Sequence, residues 1–171
     1  MPLENTVLVL AGPAGSGKSR VAEILAPLLG WSFLEGDVCH LESNRQKMSA
    51  GTPLTEDERW PWFDNIRAAV ESSPKPLIVT TSVLKPSYRT YLCCGWPDPR
   101  LVFLVASKEA LASRLAARKG HFFPAALLDS QLALQEPPAP ALCVDANGPP
   151  ESVADLILRT LQQDGFHYSG Q

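Results

Sequence analysis

The sequence predicts an α/β fold: a single domain whose five-stranded parallel sheet is flanked by helices. Five short apolar runs recur along the chain, each followed by a stretch with helical spacing. Such alternation requires right-handed crossovers, and these build a parallel sheet. Two of the runs, Leu77-Ile78-Val79-Thr80-Thr81 and Leu101-Val102-Phe103-Leu104-Val105, are nearly continuous in apolar and β-branched residues, as strands buried on both faces must be. The first run, Thr6 to Ala11, leads into Gly12-Pro13-Ala14-Gly15-Ser16-Gly17-Lys18-Ser19.

That octapeptide has a glycine, four free positions and then Gly-Lys-Ser, set between a strand and a helix, which is the context of a phosphate-binding loop. Glycine lets the backbone curl closely enough for successive amide hydrogens to face a polyphosphate. All eight residues, Gly12, Pro13, Ala14, Gly15, Ser16, Gly17, Lys18 and Ser19, are therefore candidates for nucleotide binding. Lys18 is placed to reach the β and γ phosphates, and Ser19 to offer its hydroxyl to magnesium. The positive end of the following helix adds to the attraction.

The remaining elements follow in order. Ser19 to Leu29 carries Val21, Ile24, Leu25 and Leu28 at helical spacing, and Gly30 is a natural C-cap. Ser32-Phe33-Leu34-Glu35 reads as a second strand ending on Gly36-Asp37, at the edge where a doubly wound sheet presents its ligands. His40 to Ala50 is polar and helical in propensity, and Gly51 breaks it. Thr55-Glu56-Asp57-Glu58 is a capping box opening a helix to about Ser72. The Leu77–Thr81 strand precedes a helix from Ser87 to Cys94 with Pro86 in its first turn. The Leu101–Val105 strand precedes a helix capped by Ser107. A further helical piece spans Ala125 to Leu134, the last strand Ala141 to Asp145, and a closing amphipathic helix Glu151 to Gln162. The tail from Gly165 is expected to fray.

The 171 residues suit one domain, 1–171, and are too few for two comfortable ones. With 45% hydrophobic and 19% charged residues, the composition is that of a soluble globular protein, and no segment approaches the length of a membrane span. A net charge of -3 excludes a broad basic surface for nucleic acid or anionic membrane. Cys39, Cys93, Cys94 and Cys143 have neither zinc-ligand spacing nor the density of a disulfide scaffold, and no secretory leader is visible, so a reduced, cytoplasmic setting is expected.

Three clusters point from nucleotide binding to phosphoryl transfer. Asp37, just beyond the second strand, can orient or deprotonate an acceptor hydroxyl. Arg59, Lys85 and Arg89 come from separate segments and suit a small anionic acceptor. Arg114 and Arg118 are four apart, on one helix face, and Gly120 follows. The segment 114–136 is thus expected to form a lid that closes over the nucleotide and brings both guanidinium groups, with Lys18 and Asp37, to the transferring phosphoryl group.

At these residues the chain resembles the gluconokinase family of small P-loop kinases. The resemblance lies in Gly36-Asp37-Val38-Cys39-His40 with Asn44 and Lys47-Met48, in Gly51-Thr52-Pro53-Leu54 with Asp57-Glu58-Arg59, in Ser82-Val83-Leu84-Lys85 with Tyr88-Arg89, and in Arg118-Lys119-Gly120-His121-Phe122-Phe123. It implies a shikimate-kinase-like single-domain fold, commonly a homodimer, that uses ATP and Mg2+ to phosphorylate D-gluconate to 6-phospho-D-gluconate. It also adds His40 and His121 to the substrate contacts. Thr81, Val83, Leu41 and Thr90 depart from the family's pattern near the expected acceptor pocket. Two other readings stay open on the residues alone: a kinase of another small hydroxy acid such as shikimate, and a nucleotide-binding regulator without acceptor turnover.

Overall fold

β1 (Thr6–Ala11) lies at the centre of the sheet in this computed structural model, with all six residues buried. The structure describes residues 3–118 and 124–169. β1 pairs in parallel with β3 (Leu77–Thr81) and β4 (Asp98–Val105), so that Val9 lies opposite both Val79 and Leu101. β2 (Ser32–Glu35) adds outside β3, and β5 (Cys143–Asp145) outside β4. The order is 2-3-1-4-5, five parallel strands as expected. The crossovers diverge on either side of β1, which opens a ligand crevice at its carboxyl end.

Strand alternation divides the core into two layers. Leu8, Leu10, Ile78 and Val102 pack with Val21 of α1 (Lys18–Leu29) and Ile157 of α7 (Pro150–Gln162) on one face. Val7, Val9, Val79 and Phe103 pack on the other with Trp62 and Phe63 of α3 (Glu56–Ser72) and Leu92 of α4 (Pro86–Cys93). A third, smaller cluster joins Leu111 and Leu115 of α5 (Lys108–Ala117) to Leu128 of α6 (Ala125–Leu134), with Ala14 against it. No described helix is long and apolar enough to cross a membrane.

α2 (Glu42–Ser49) contributes little apolar surface and is fastened to α3 by polar contacts. The capping box forms as predicted: Thr55 N donates to Glu58 Oε2 at 2.7 Å, and Glu58 N to Thr55 Oγ1 at 3.4 Å. Lys47 Nζ reaches the same carboxylate at 2.7 Å, and Asn44 Nδ2 donates to Glu58 O at 3.1 Å. The Lys47 bond, with the Thr55 amide, holds the Glu58 carboxyl down at about 2. One side chain thus caps α3 and positions α2.

Two expectations need correction. β4 begins at Asp98 and not at Leu101, and Arg100 within it is buried and satisfied: it meets Asp98 at 3.1 Å and Asp164 at 2.7 Å. The tail from Gly165 is not frayed over its described part. Leu101 N donates to Phe166 O at 2.9 Å, Tyr168 N to Pro99 O at 3.0 Å, and both aromatic rings are buried. Apolar rings that can be sealed against a strand end are favoured there over solvent.

Candidate active site

The glycine-rich loop turns from β1 into α1 with Gly12, Gly15 and Gly17 at positive φ. A side chain at Gly15 would also place Cβ 2.8 Å from Leu111 O, so the loop's outer side is pressed against α5. Lys18 Nζ donates to Gly12 O at 2.9 Å and Pro13 O at 2.8 Å, which folds the side chain back across the loop. Burial lowers its pKa; Asp37 and Glu35 oppose this, and Arg118 reinforces it. The ammonium therefore sits where an anion would be welcome.

β2 ends beside this loop. Ser19 Oγ and Thr80 Oγ1 both donate to the Glu35 carboxylate. Gly36 follows, and a Cβ there would lie 2.1 Å from Thr80 O, so only glycine lets β2 approach β3 this closely. A short 3₁₀ turn, Gly36–Cys39, then presents Asp37, whose side chain is 71% exposed. Glu35 was not among the sequence candidates. Its signal was available, since Glu35 and Asp37 flank a glycine at a strand's carboxyl end, but Glu35 reads equally well as an edge-strand charge.

One cavity of about 400 Å³ brings together six of the candidates. Lys18 and Ala14 line it from the phosphate loop, Asp37 and His40 from the turn after β2, Arg59 from α3 and Arg118 from the end of α5. Arg59 Nη2 donates to Leu54 O at 3.1 Å. His40 is stacked on Trp62 with ring centroids 4.0 Å apart, and its Nε2 lies 4.0 Å from Asp37 Oδ1. Burial, then the Arg45 and Arg59 charges, depress its pKa from 6.5 to about 4. His40 is therefore neutral near pH 7.

That depression has a consequence for stability. The unfolded chain protonates His40 near pH 6.5 and the folded protein only near 4, so unfolding takes up a proton between these values. Stability from this source is complete above pH 6.5 and is lost as the pH falls toward 4, by on the order of 2–3 kcal/mol. His40→Phe keeps a ring against Trp62 and removes the titration. Urea midpoints at pH 7 and pH 4.5 are expected to fall further for the wild type than for the variant; parallel falls would contradict the assignment.

Other candidates lie elsewhere. Lys85 does not line the cavity; its ammonium is 3.7 Å from Glu56 and 5.6 Å from the Tyr88 ring centroid. Arg89 is 2% exposed and donates to Val83 O and Leu84 O at 3.2 Å, so it faces the core side of α4. Arg114, expected beside Arg118, points to the β5–α7 loop, with Nη2 donating to Ala146 O at 2.7 Å and Asn147 O at 3.0 Å. The two lid arginines diverge because α5 ends at Ala117, which releases Arg118 from the helix face. His121 lies outside the described residues, as do the others from 119 to 123 in the expected lid. The departures from the family pattern fall outside the described lining: Val83 is in the core, Thr81 is buried, Leu41 precedes α2, and Thr90 Oγ1 is 3.3 Å from the Tyr168 hydroxyl. Arg45 and Gln131 line the cavity and were not among the site residues expected from the sequence.

A parallel sheet with a phosphate loop at the carboxyl end of its central strand, opening into a cavity with acid and base side chains, defines a P-loop kinase. Residues 7–138 match the AAA domain family. The chain is 40% identical to the gluconokinase of Gluconobacter oxydans (strain 621H) over 171 residues, covering 96% of each. The crystal structure of a gluconokinase from Sinorhizobium meliloti 1021 superposes with a TM-score of 0.85 at 38% identity, covering 95% of this chain and 94% of that one. Shikimate kinase from Aquifex aeolicus shares the fold alone, with a TM-score of 0.57 at 18% identity over 92% of this chain and 97% of that one. The chain belongs to the gluconokinase family.

Proposed function

We propose that this protein transfers the γ-phosphoryl group of ATP to the 6-hydroxyl of D-gluconate. The observation that carries the proposal is the shared cavity, in which the phosphate loop and an acceptor wall containing Asp37, His40 and Arg59 face one another. In the proposed step the acceptor oxygen attacks the γ phosphorus while the bond to the β–γ bridging oxygen breaks. Asp37 takes the hydroxyl proton, and ADP leaves carrying the electron pair of the broken bond. Lys18 and Arg118 stabilise the charge on the phosphoryl oxygens. Lys18 gives up its loop carbonyls for the nucleotide's oxygens.

Mg2+ favours hard oxygen donors and keeps several waters, so it needs one or two protein ligands rather than a full protein cage. Ser19 and Glu35 fit that demand: a hydroxyl and a carboxylate already in contact at the mouth of the phosphate loop. A bound ion would neutralise part of the charge on the polyphosphate during transfer.

For the acceptor's carboxylate, Arg59 is the one of Arg59, Lys85 and Arg89 that lines the cavity, with Arg45 on the same cavity. Arg59 has further N–H groups beyond the one used on Leu54 O. A neutral sugar would leave these donors facing nothing, at a cost of about 1–3 kcal/mol, roughly tenfold to a hundredfold in specificity. Comparing kcat/KM on gluconate, glucose, sorbitol and shikimate tests this. Gluconate is expected to exceed both neutral compounds by that factor. Glucose matching gluconate would overturn the carboxylate requirement, and shikimate outrunning gluconate would overturn the acceptor while leaving the kinase standing.

A further inference from the structure

Gln131 stands on α6, three residues after Leu128, on the face of that helix that packs toward α5 and the phosphate loop. Leu128 is buried against Leu111 and Leu115, which fixes the height of α6 over the loop. From this position the Gln131 side chain reaches Ala14, and the Ala14 amide donates to Gln131 Oε1 at 2.7 Å. That bond determines which way round the carboxamide sits. A backbone N–H can bond only an acceptor, so the oxygen must face Ala14 and the NH2 group must turn elsewhere. Gln131 lines the cavity shared by Lys18, Asp37 and Arg118, and among the described residues its two N–H donors have no acceptor.

We infer that Gln131 is a further catalytic residue whose Nε2 donates to an oxygen of the phosphoryl group in transfer. The inference rests on the kinase reading above. Oε1 and Nε2 are bonded to one carbon, so a donor whose partner oxygen is tied to the phosphate loop lies at the boundary between that loop and the acceptor wall. This is where the γ-phosphoryl group travels as its bond to the bridging oxygen breaks and its bond to the acceptor oxygen forms. Loop and α6 are packed as one unit, so the donor is held in place before substrates arrive, as effective transition-state donors are. A carboxamide also adds no charge to the Lys18 and Arg118 already present.

Two variants separate donation from bracing. Gln131→Met removes both ends of the amide, whereas Gln131→Glu keeps an oxygen acceptor for the Ala14 amide and loses the donor. Each is measured for kcat on gluconate, for Kd of ADP, for Kd of ADP with aluminium fluoride, Mg2+ and gluconate as a mimic of the transfer state, and for thermal midpoint. Both variants are expected to lose about tenfold to a hundredfold in kcat. The fluoride complex should weaken by a similar factor, while Kd for ADP alone stays within about threefold in Gln131→Met. A role limited to bracing the loop would leave Gln131→Glu close to wild type and would lower ADP affinity in Gln131→Met in step with kcat. Either result, or a kcat within about threefold in Gln131→Met, overturns the inference. A wild-type enzyme inactive on gluconate would refute the underlying reading instead, and the ADP, aluminium fluoride and Mg2+ complex formed without gluconate would then decide the role of Gln131.

Discussion

Lys18→Met is expected to abolish phosphoryl transfer, by at least about a thousandfold, while leaving the fold intact. The ammonium is the one cation within the phosphate loop, and its loss leaves the developing charge of the transfer state without its nearest counter-ion. Little stability depends on it. Its two bonds are to Gly12 O and Pro13 O, in a loop whose shape is also fixed by its glycine turns and its packing against α5. Burial already disfavours its charged form, so an apolar side chain of similar length relieves one cost as it removes two bonds. The net change is expected to stay within about 1 kcal/mol, or roughly 2–4 °C in a chain of this size. Parallel measurement of thermal unfolding and coupled turnover checks both halves, and near-normal turnover would remove this loop from the catalytic machinery.

Asp37→Asn is expected to lower kcat by about a hundredfold or more with ATP affinity held within about threefold. An amide has the carboxylate's shape but cannot accept the acceptor's proton, and base catalysis by a positioned side chain has about that size. The exposed Asp37 side chain makes no bond shorter than 4.0 Å to His40, so the substitution disturbs no packed contact. Single-turnover kinetics with ATP and gluconate would check it; a variant retaining more than about a tenth of the wild-type rate would rule out general-base catalysis by Asp37.

The central layers of this fold are written plainly in the sequence, because the runs 7–11, 77–79 and 101–104 are buried on both faces and are apolar throughout. The phosphate loop is legible for a related reason: close backbone approach restricts the residue types to glycine. The acceptor wall was harder to read. Arg59 and Arg89 are both basic residues on helices, and only the packed structure distinguishes the one that lines the cavity from the one that bonds Val83 O and Leu84 O at the core side. Arg114 and Arg118 share a helical spacing, yet the helix ends between them. The start of β4 and the packing of the tail were missed because a charged residue beside proline and a short terminal stretch carry no local pattern. Their burial is decided by partners far away in the chain.

The central position of β1 also shapes how the chain comes to be folded. Its hydrogen-bonding neighbours are not β2 but β3 and β4, and the first residue of β3 follows the last of β1 by about 65 residues. During synthesis at ~5–20 residues per second, the edges of β1 wait roughly 3–13 seconds for the first strand to pair with, and longer for the second. Helix α1 can cover one face in that interval, but the edges of β1 stay open. Parallel pairing across such separations is slow to nucleate and prone to association while incomplete. The same arrangement that sets the phosphate loop on the most buried strand of the molecule therefore leaves the nascent chain dependent on shielding from its neighbours until β3 and β4 arrive.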